Sequence, residues 1–154
     1  MRSNMAPSPL KPAELRAWIA FLNAQSALIR RLENDLQAKA QMSLADYDVL
    51  IQLAMADSRR LRMSELSERV RLSPSGLTRR VDQLVKAGLV SRAHCASDRR
   101  GTFAVLAAAG LARVRRASPV HLGGVREYFV GSLRPGQLAA LTAALEPLAR
   151  KAVG

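Results

Sequence analysis

Few residues in this chain have the types and spacing that catalysis or metal binding requires. The histidines are His94 and His121, and the single cysteine is Cys95. His94 and Cys95 are adjacent, not separated by the about two to four residues usual between paired zinc ligands, so no metal site is expected. No nucleophile with a companion base, glycine-rich phosphate loop or carboxylate pair stands out. The chain therefore reads as a non-enzyme without a cofactor. Cys95 has no partner for an internal disulfide and reads as a small residue in a strand, with a redox switch as the outside alternative.

The chemistry on offer is cationic. The 154 residues carry 24 Lys and Arg against 12 Asp and Glu, a formal charge of +12, in a chain that is 49% hydrophobic. Such a chain can bury a core and is not a disordered basic tail. Excess positive charge is a footprint for a polyanion, but charge alone does not separate nucleic acid from an anionic membrane or an acidic partner. Its distribution is more informative. From Arg59 to Arg100 there are eleven Lys or Arg against four Asp or Glu, a net +7 in the middle of the chain.

Helices must position those cations. Aromatics make up 4% of the residues, and the abundance of Leu, Ala and Arg favours a mainly α protein over a β-sandwich. Residues 1–12, with Pro7, Pro9 and Pro12, read as a flexible lead-in. Residues 13–42 form one long helix through Leu15, Trp18, Ile19, Leu22, Leu28, Ile29, Leu32 and Leu36. Ser43 and Asp46 have capping-box spacing and open a second helix with Tyr47, Leu50, Ile51 and Ala54 inward, ending near Asp57. Ser64 caps a short third helix with Leu66 and Val70. Ser73 and Pro74 start a fourth that ends at Gly88. Two short helices joined by a tight turn make a helix-turn-helix. Residues 89–92 and 103–106 are β-compatible runs around a polar tip, Ser97 to Gly101, which makes a hairpin. Residues 107–154 supply two more helices, the first bent near Pro119 and Gly123–Gly124, the second with Pro135 in its first turn.

A helix-turn-helix followed by a hairpin is a winged helix-turn-helix. Ser64, Glu65 and Leu66, the run from Ser75 to Leu84, the segment Gly88 to Arg92 and the tip Asp98, Arg99 and Arg100 resemble the bacterial multiple-antibiotic-resistance regulator (MarR) family over nearly the whole chain. The resemblance implies a DNA-binding lobe at 43–106 and dimerisation arms at 13–42 and 107–154.

On a helical wheel Leu77, Val81, Leu84 and Val85 form one stripe, with Ser75, Arg79 and Lys86 opposite and Gly76 and Gln83 beside them. The N-terminal part of such a helix reaches base edges, making Ser75, Gly76, Thr78 and Arg79 readout candidates. Arg79 has two options, a bidentate bond to guanine or a phosphate contact. Arg99 and Arg100 suit an adjacent minor groove. The resemblance assigns that role mainly to Arg100, with Asp98 pairing a wing arginine to hold it.

Arg80 falls on the shoulder of the apolar stripe and leans inward, where it needs an anion or carboxylate. Trp18, Asp48, Arg80 and Arg92 match, in type and order, an effector pocket of urate-responsive MarR relatives. The plainer alternative is an Asp–Arg salt bridge beneath the helix with Trp18 in packing.

No run approaches the roughly 20 apolar residues of a spanning helix, and no apolar run after Arg2 makes a secretory signal. A soluble cytoplasmic protein is expected. The resulting expectation is a homodimeric regulator of transcription, probing double-stranded DNA at a pseudo-palindromic operator as a repressor that a small aromatic or anionic ligand relieves. The rival is a winged-helix protein-interaction adaptor without sequence-specific DNA binding.

Overall fold

A computed structural model describes residues 8–70, 72–95 and 98–153; for residues 95, 98–100, 152 and 153 it describes the backbone alone. Six α-helices and three strands follow in the order α1 (Pro12–Ala40), α2 (Leu44–Met55), β1 (Arg60–Arg62), α3 (Met63–Arg69), α4 (Pro74–Lys86), β2 (Val90–Cys95), β3 (Asp98–Leu106), α5 (Ala108–Gly124) and α6 (Gln137–Val153). This is the expected mainly α, winged helix-turn-helix architecture.

Local chemistry explains most of the boundaries. Pro12 opens α1, where a missing N–H costs nothing, and Glu14 accepts from the Lys11 N–H at 2.7 Å. The helix closes on Gln41 in the left-handed conformation, with φ 51°. The Arg113 guanidinium donates to the Gln41 carbonyl at 2.6 Å, pairing a cation with the helix's negative end. Ser43 caps α2 by accepting from the Asp46 N–H at 3.0 Å. Glu33, reaching over from α1, accepts from the Leu44 N–H at 2.7 Å, so the α1–α2 corner satisfies two donors that a helix start leaves open. Ser73 caps α4 by accepting from the Gly76 N–H at 3.1 Å, and Gly88 ends its turn at φ 70°, a conformation glycine adopts without penalty.

Three boundaries differ from expectation. Helix α3 begins at Met63 with Arg62, not Ser64, at the cap position, because Glu65 accepts from the Arg62 N–H at 3.1 Å and draws the start forward. Pro119 lies within α5, and the irregularity comes later, as a π-helical segment Val125–Phe129 followed by a 3-10 turn Val130–Ser132. Pro135 precedes α6, because Gly136 takes φ 83° and the helix starts at Gln137.

The sheet is antiparallel in the order β1-β3-β2. Leu61 pairs with Ala104 in one ladder, and Val90 pairs with Leu106 in the other. All four are buried, so one face of the sheet closes the core. Leu36 of α1, Leu50 and Leu53 of α2, Leu66 of α3, and Leu77, Val81 and Leu84 of α4 meet that face. Gly110 lets α5 pass close to the chain before β2: a Cβ there would lie 2.1 Å from the Leu89 carbonyl oxygen.

Apolar side chains also remain outside the core. Trp18 is 52% exposed and Phe21 46%, their rings 6.1 Å apart, while Leu148 of α6 is 60% exposed. Between α1, the end of α5 and α6 lies an open cleft of about 880 Å³ lined by Phe21, Leu28, Tyr128, Leu141 and Leu145. No helix among the described residues is long and apolar enough to cross a membrane.

Candidate nucleic-acid interface

Helix α4 turns Leu77, Val81 and Leu84 into the core and leaves Ser75, Thr78, Arg79, Gln83 and Lys86 exposed. Arg79 and Lys86 make no ion pair among the described residues, so both charges are available to an anion. Thr78 donates from Oγ1 to the Pro74 carbonyl at 3.0 Å, and the Ser75 hydroxyl lies 3.3 Å from that of Ser73. Gly76 is half-buried, and a Cβ there would sit 3.0 Å from Ser73 Oγ. Its N–H completes the helix cap, so the sequence position marked for base contact also has a local structural task.

Arg80 leans inward as its phase on the helix requires. It donates to Asp46 Oδ1 at 3.2 Å. This is an Asp–Arg bridge beneath the helix; Asp48, the pocket candidate, lies two positions further on in α2, and residues so spaced on a helix do not share a face. The first turn of α2, which carries Asp46, is the part that meets the shoulder of α4. The carboxylate thus engages Arg80, while the Asp46 backbone N–H serves the Ser43 cap.

The other members of the expected effector pocket go elsewhere. Trp18 stacks near Phe21 on the exposed side of α1. Arg92 of β2 donates to Asp82 Oδ1 of α4 at 2.9 Å. Trp18, Asp48, Arg80 and Arg92 do not appear together in the cleft beside α1, in the hollow beneath the wing or in the hollow beside β1. Arg92 instead joins Arg62, Met63, Ser64, Thr78, Gly101 and Thr102 around a hollow of about 360 Å³ between the recognition helix and the wing.

The backbone of Asp98, Arg99 and Arg100 belongs to β3 and extends the hairpin beyond the expected 103–106; the side chains of these three and of Cys95 lie outside the described residues. Among the described residues no group of three or more His, Cys, Asp or Glu could hold a metal ion.

Sequence reasoning missed β1. The three-residue strand has only the alternation of Arg60, Leu61 and Arg62 as its signal, and it becomes a strand because β3 offers it a ladder. It also missed the Asp82–Arg92 bridge, which joins α4 to β2 through two residues ten positions apart.

The arrangement has known counterparts. A MarR family profile matches residues 40–101. The chain is similar to AbsC, a MarR family transcriptional regulator from Streptomyces coelicolor, with a TM-score of 0.90 and 36% identity over 96% of this chain and 99% of that one. It is similar to Sco3205, a MarR family transcriptional regulator from the same organism solved in complex with DNA, with a TM-score of 0.89 and 34% identity over 94% of this chain and 91% of that one. A third, Sco5413, also from Streptomyces coelicolor, gives a TM-score of 0.78 and 25% identity over 92% of this chain and 96% of that one. Among curated proteins no match is found. A recognition helix with exposed cations on its outer side, a wing beside it and long helical arms, matched along nearly their whole length by these regulators, place the chain in the MarR family of transcriptional regulators.

Proposed function

We propose that the chain acts as a homodimeric repressor of transcription that binds a pseudo-palindromic operator and releases it when a small aromatic or anionic ligand binds. The observation that carries this reading is the outer side of α4, where Arg79 and Lys86 make no ion pair among the described residues and stand beside exposed Ser75 and Thr78. That surface is suited to a major groove. Sco3205, 34% identical, was solved on DNA. In this reading Ser75, Gly76, Thr78 and Arg79 meet bases or their flanking phosphates, Lys86 meets a phosphate, and Asp98, Arg99 and Arg100 form the wing tip, with Arg100 in the minor groove.

Dimerisation through residues 13–42 and 107–154 is supported by the exposed Trp18, Ile19, Phe21 and Leu22 of α1 and by Leu138 and Leu148 of α6. Apolar area of this kind marks an interaction face. Two-fold pairing would then present two copies of α4 to successive major grooves. For the ligand, the hollow that holds Arg92 and Thr78 beneath the wing is the better seat than the four-residue pocket inferred from sequence, since it offers cationic and hydroxyl groups together. An anion bound there would favour a placement of the wing that no longer fits DNA.

Selection of bound duplexes from a random-sequence pool, followed by sizing of the complex, tests the reading. Recovery of an inverted repeat bound by two chains is the expected result. Enrichment of no sequence, with binding to protein partners alone, would favour an adaptor.

A further inference from the structure

We propose that Arg92 is a positioning residue for DNA binding: it draws the Asp82 carboxylate away from Arg79 and Lys86 and so keeps those two cations of the recognition helix out of ion pairs. The proposal rests on the DNA-binding reading above and adds to it a residue that acts through another side chain.

Asp82 is the one carboxylate in α4. It lies three positions after Arg79 and four before Lys86, and residues so spaced are neighbours on a helix surface. Ser75 lies two turns back, so the carboxylate stands on the side of α4 assigned to DNA. A bare carboxylate there opposes binding in two ways. It repels phosphates, and it competes with them for Arg79 and Lys86, an acidic residue four positions before a lysine being the favoured order for a helical ion pair.

Neither helical pair forms. Arg79 and Lys86 make no ion pair among the described residues, and the Asp82 carboxylate instead accepts from Arg92 Nη2 at 2.9 Å. The strand explains why the cross-element pair wins. Val90, two residues earlier on the same side of β2, is buried, and β2 packs against α4, so the Arg92 side chain is directed to the flank of the helix. That side chain is 32% exposed, and its partial burial lowers the ordering cost that weakens fully exposed pairs. Its guanidinium also presents a planar N–H edge to the carboxylate, which the Lys86 ammonium does not. Asp82 is thereby neutralised by a cation from the wing strand, and the helix's own cations remain for phosphates and bases.

The test is a double-mutant cycle on the salt dependence of binding to a labelled mixed-sequence duplex, with the wild-type chain, Arg92→Gln, Asp82→Asn and the double variant. Arg92→Gln releases the carboxylate to its helical neighbours. Affinity at low salt should fall severalfold, and the slope of log affinity against log salt should flatten by up to about 0.9, the share of one phosphate contact. Adding Asp82→Asn to Arg92→Gln should reverse both changes. Asp82→Asn alone should bind at least as tightly as the wild type. If the pair were only a tie between α4 and β2, Asp82→Asn would bind more weakly and the double variant would be no better than Arg92→Gln. If Arg92 touched a phosphate itself, the deficit of Arg92→Gln would persist in the double variant. Either result overturns the proposal and leaves the DNA-binding reading standing. Thermal melts establish that each variant is folded, and Arg92→Met, which keeps an aliphatic stem, replaces Arg92→Gln in the cycle if that variant unfolds. Absence of salt-dependent duplex binding by the wild-type chain overturns the DNA-binding reading itself and the proposal with it.

Discussion

The Arg80 guanidinium bonds the Asp46 carboxylate at 3.2 Å, fastening the recognition helix α4 to the first turn of α2. One residue earlier on the same helix, Arg79 points outward with no ion pair among the described residues. Adjacent arginines thus take opposite tasks, because one step along a helix rotates the side chain by roughly 100°. Arg80 holds the helix, and Arg79 is left exposed on its outer side.

Their substitutions should separate accordingly. The Arg80 and Asp46 side chains are 32% and 27% exposed, so the pair is worth at most about 1 kcal/mol. Arg80→Ala should lower stability by that little in urea denaturation while weakening duplex binding, since α4 loses a tether. A loss of more than about 3 kcal/mol would belong to a fully buried pair and would contradict this account. Ser43→Ala, which removes the α2 cap, should cost about 1 kcal/mol without the binding defect.

Arg79→Ala should weaken operator binding by about 1–3 kcal/mol and relax preference at one base position if the arginine reads guanine. If it holds a phosphate, affinity should fall evenly across sequences, as for Lys86→Ala. Competition binding with single-base operator variants distinguishes the two, and an unaltered affinity in Arg79→Ala would mean that α4 does not face DNA with this side.

Two glycines of α5 should respond in opposite directions. A Cβ at Gly110 would fall 2.1 Å from the Leu89 carbonyl oxygen, whereas one at Gly123 meets nothing within 4 Å. Gly110→Ala should therefore destabilise by about 1–3 kcal/mol or more through forced backbone shifts. Gly123→Ala should stabilise the helix by up to about 1 kcal/mol. Paired thermal melts suffice, and equal effects would refute the close approach at Gly110.

Charge placed on the apolar side of α1 should undo the proposed dimer. Leu22→Asp sits beside exposed Trp18 and Ile19, and burying its carboxylate against a second chain would carry a desolvation cost that the contact cannot offset. Sedimentation should report a folded monomer with weak operator binding. A dimer of undiminished affinity would move the interface elsewhere.

A pH signature should come from the arms. Tyr128 donates to Asp35 Oδ2 at 2.6 Å and Lys39 lies 3.0 Å from Oδ1, so the tyrosine hydroxyl, and after it the lysine, holds the Asp35 carboxyl below its ordinary value. A carboxylate lowered in the folded state stabilises it above the ordinary carboxylate value and loses that contribution as pH falls. The same hydrogen bond raises the Tyr128 phenol and the Asp35 pairing raises Lys39, so their contributions hold below the ordinary values and fade as pH rises. In an NMR titration, Tyr128→Phe should move the Asp35 carboxyl back upward; an unmoved titration would mean that the bond does not form in solution.

Much of the fold was legible in residue order. Ser43, Ser73, Pro74 and Gly88 mark helix ends by satisfying or excusing local backbone groups, and these signals act within a few residues. The inward lean of Arg80 follows from helix phase in the same way. Candidate contacts at Ser75, Thr78, Arg79 and Lys86 were equally readable, since Leu77, Val81 and Leu84 identify the opposite side as core.

What sequence order could not supply were pairings between distant segments. Asp46 meets Arg80 because of where α4 crosses α2, and Arg92 goes to Asp82 because β2 lies against α4. Arg60 and Arg62 look like ordinary surface charge until β1 pairs with β3 and brings Phe103 beneath them. The sequence by itself determined the helices, their caps, the winged helix-turn-helix and the concentration of cations between residues 59 and 100, because these depend on short-range periodicity and backbone chemistry. Only the tertiary structure decided which cations are neutralised and which stay open to DNA, because an ion pair requires side chains to meet within a few ångströms across elements whose packing no local signal encodes.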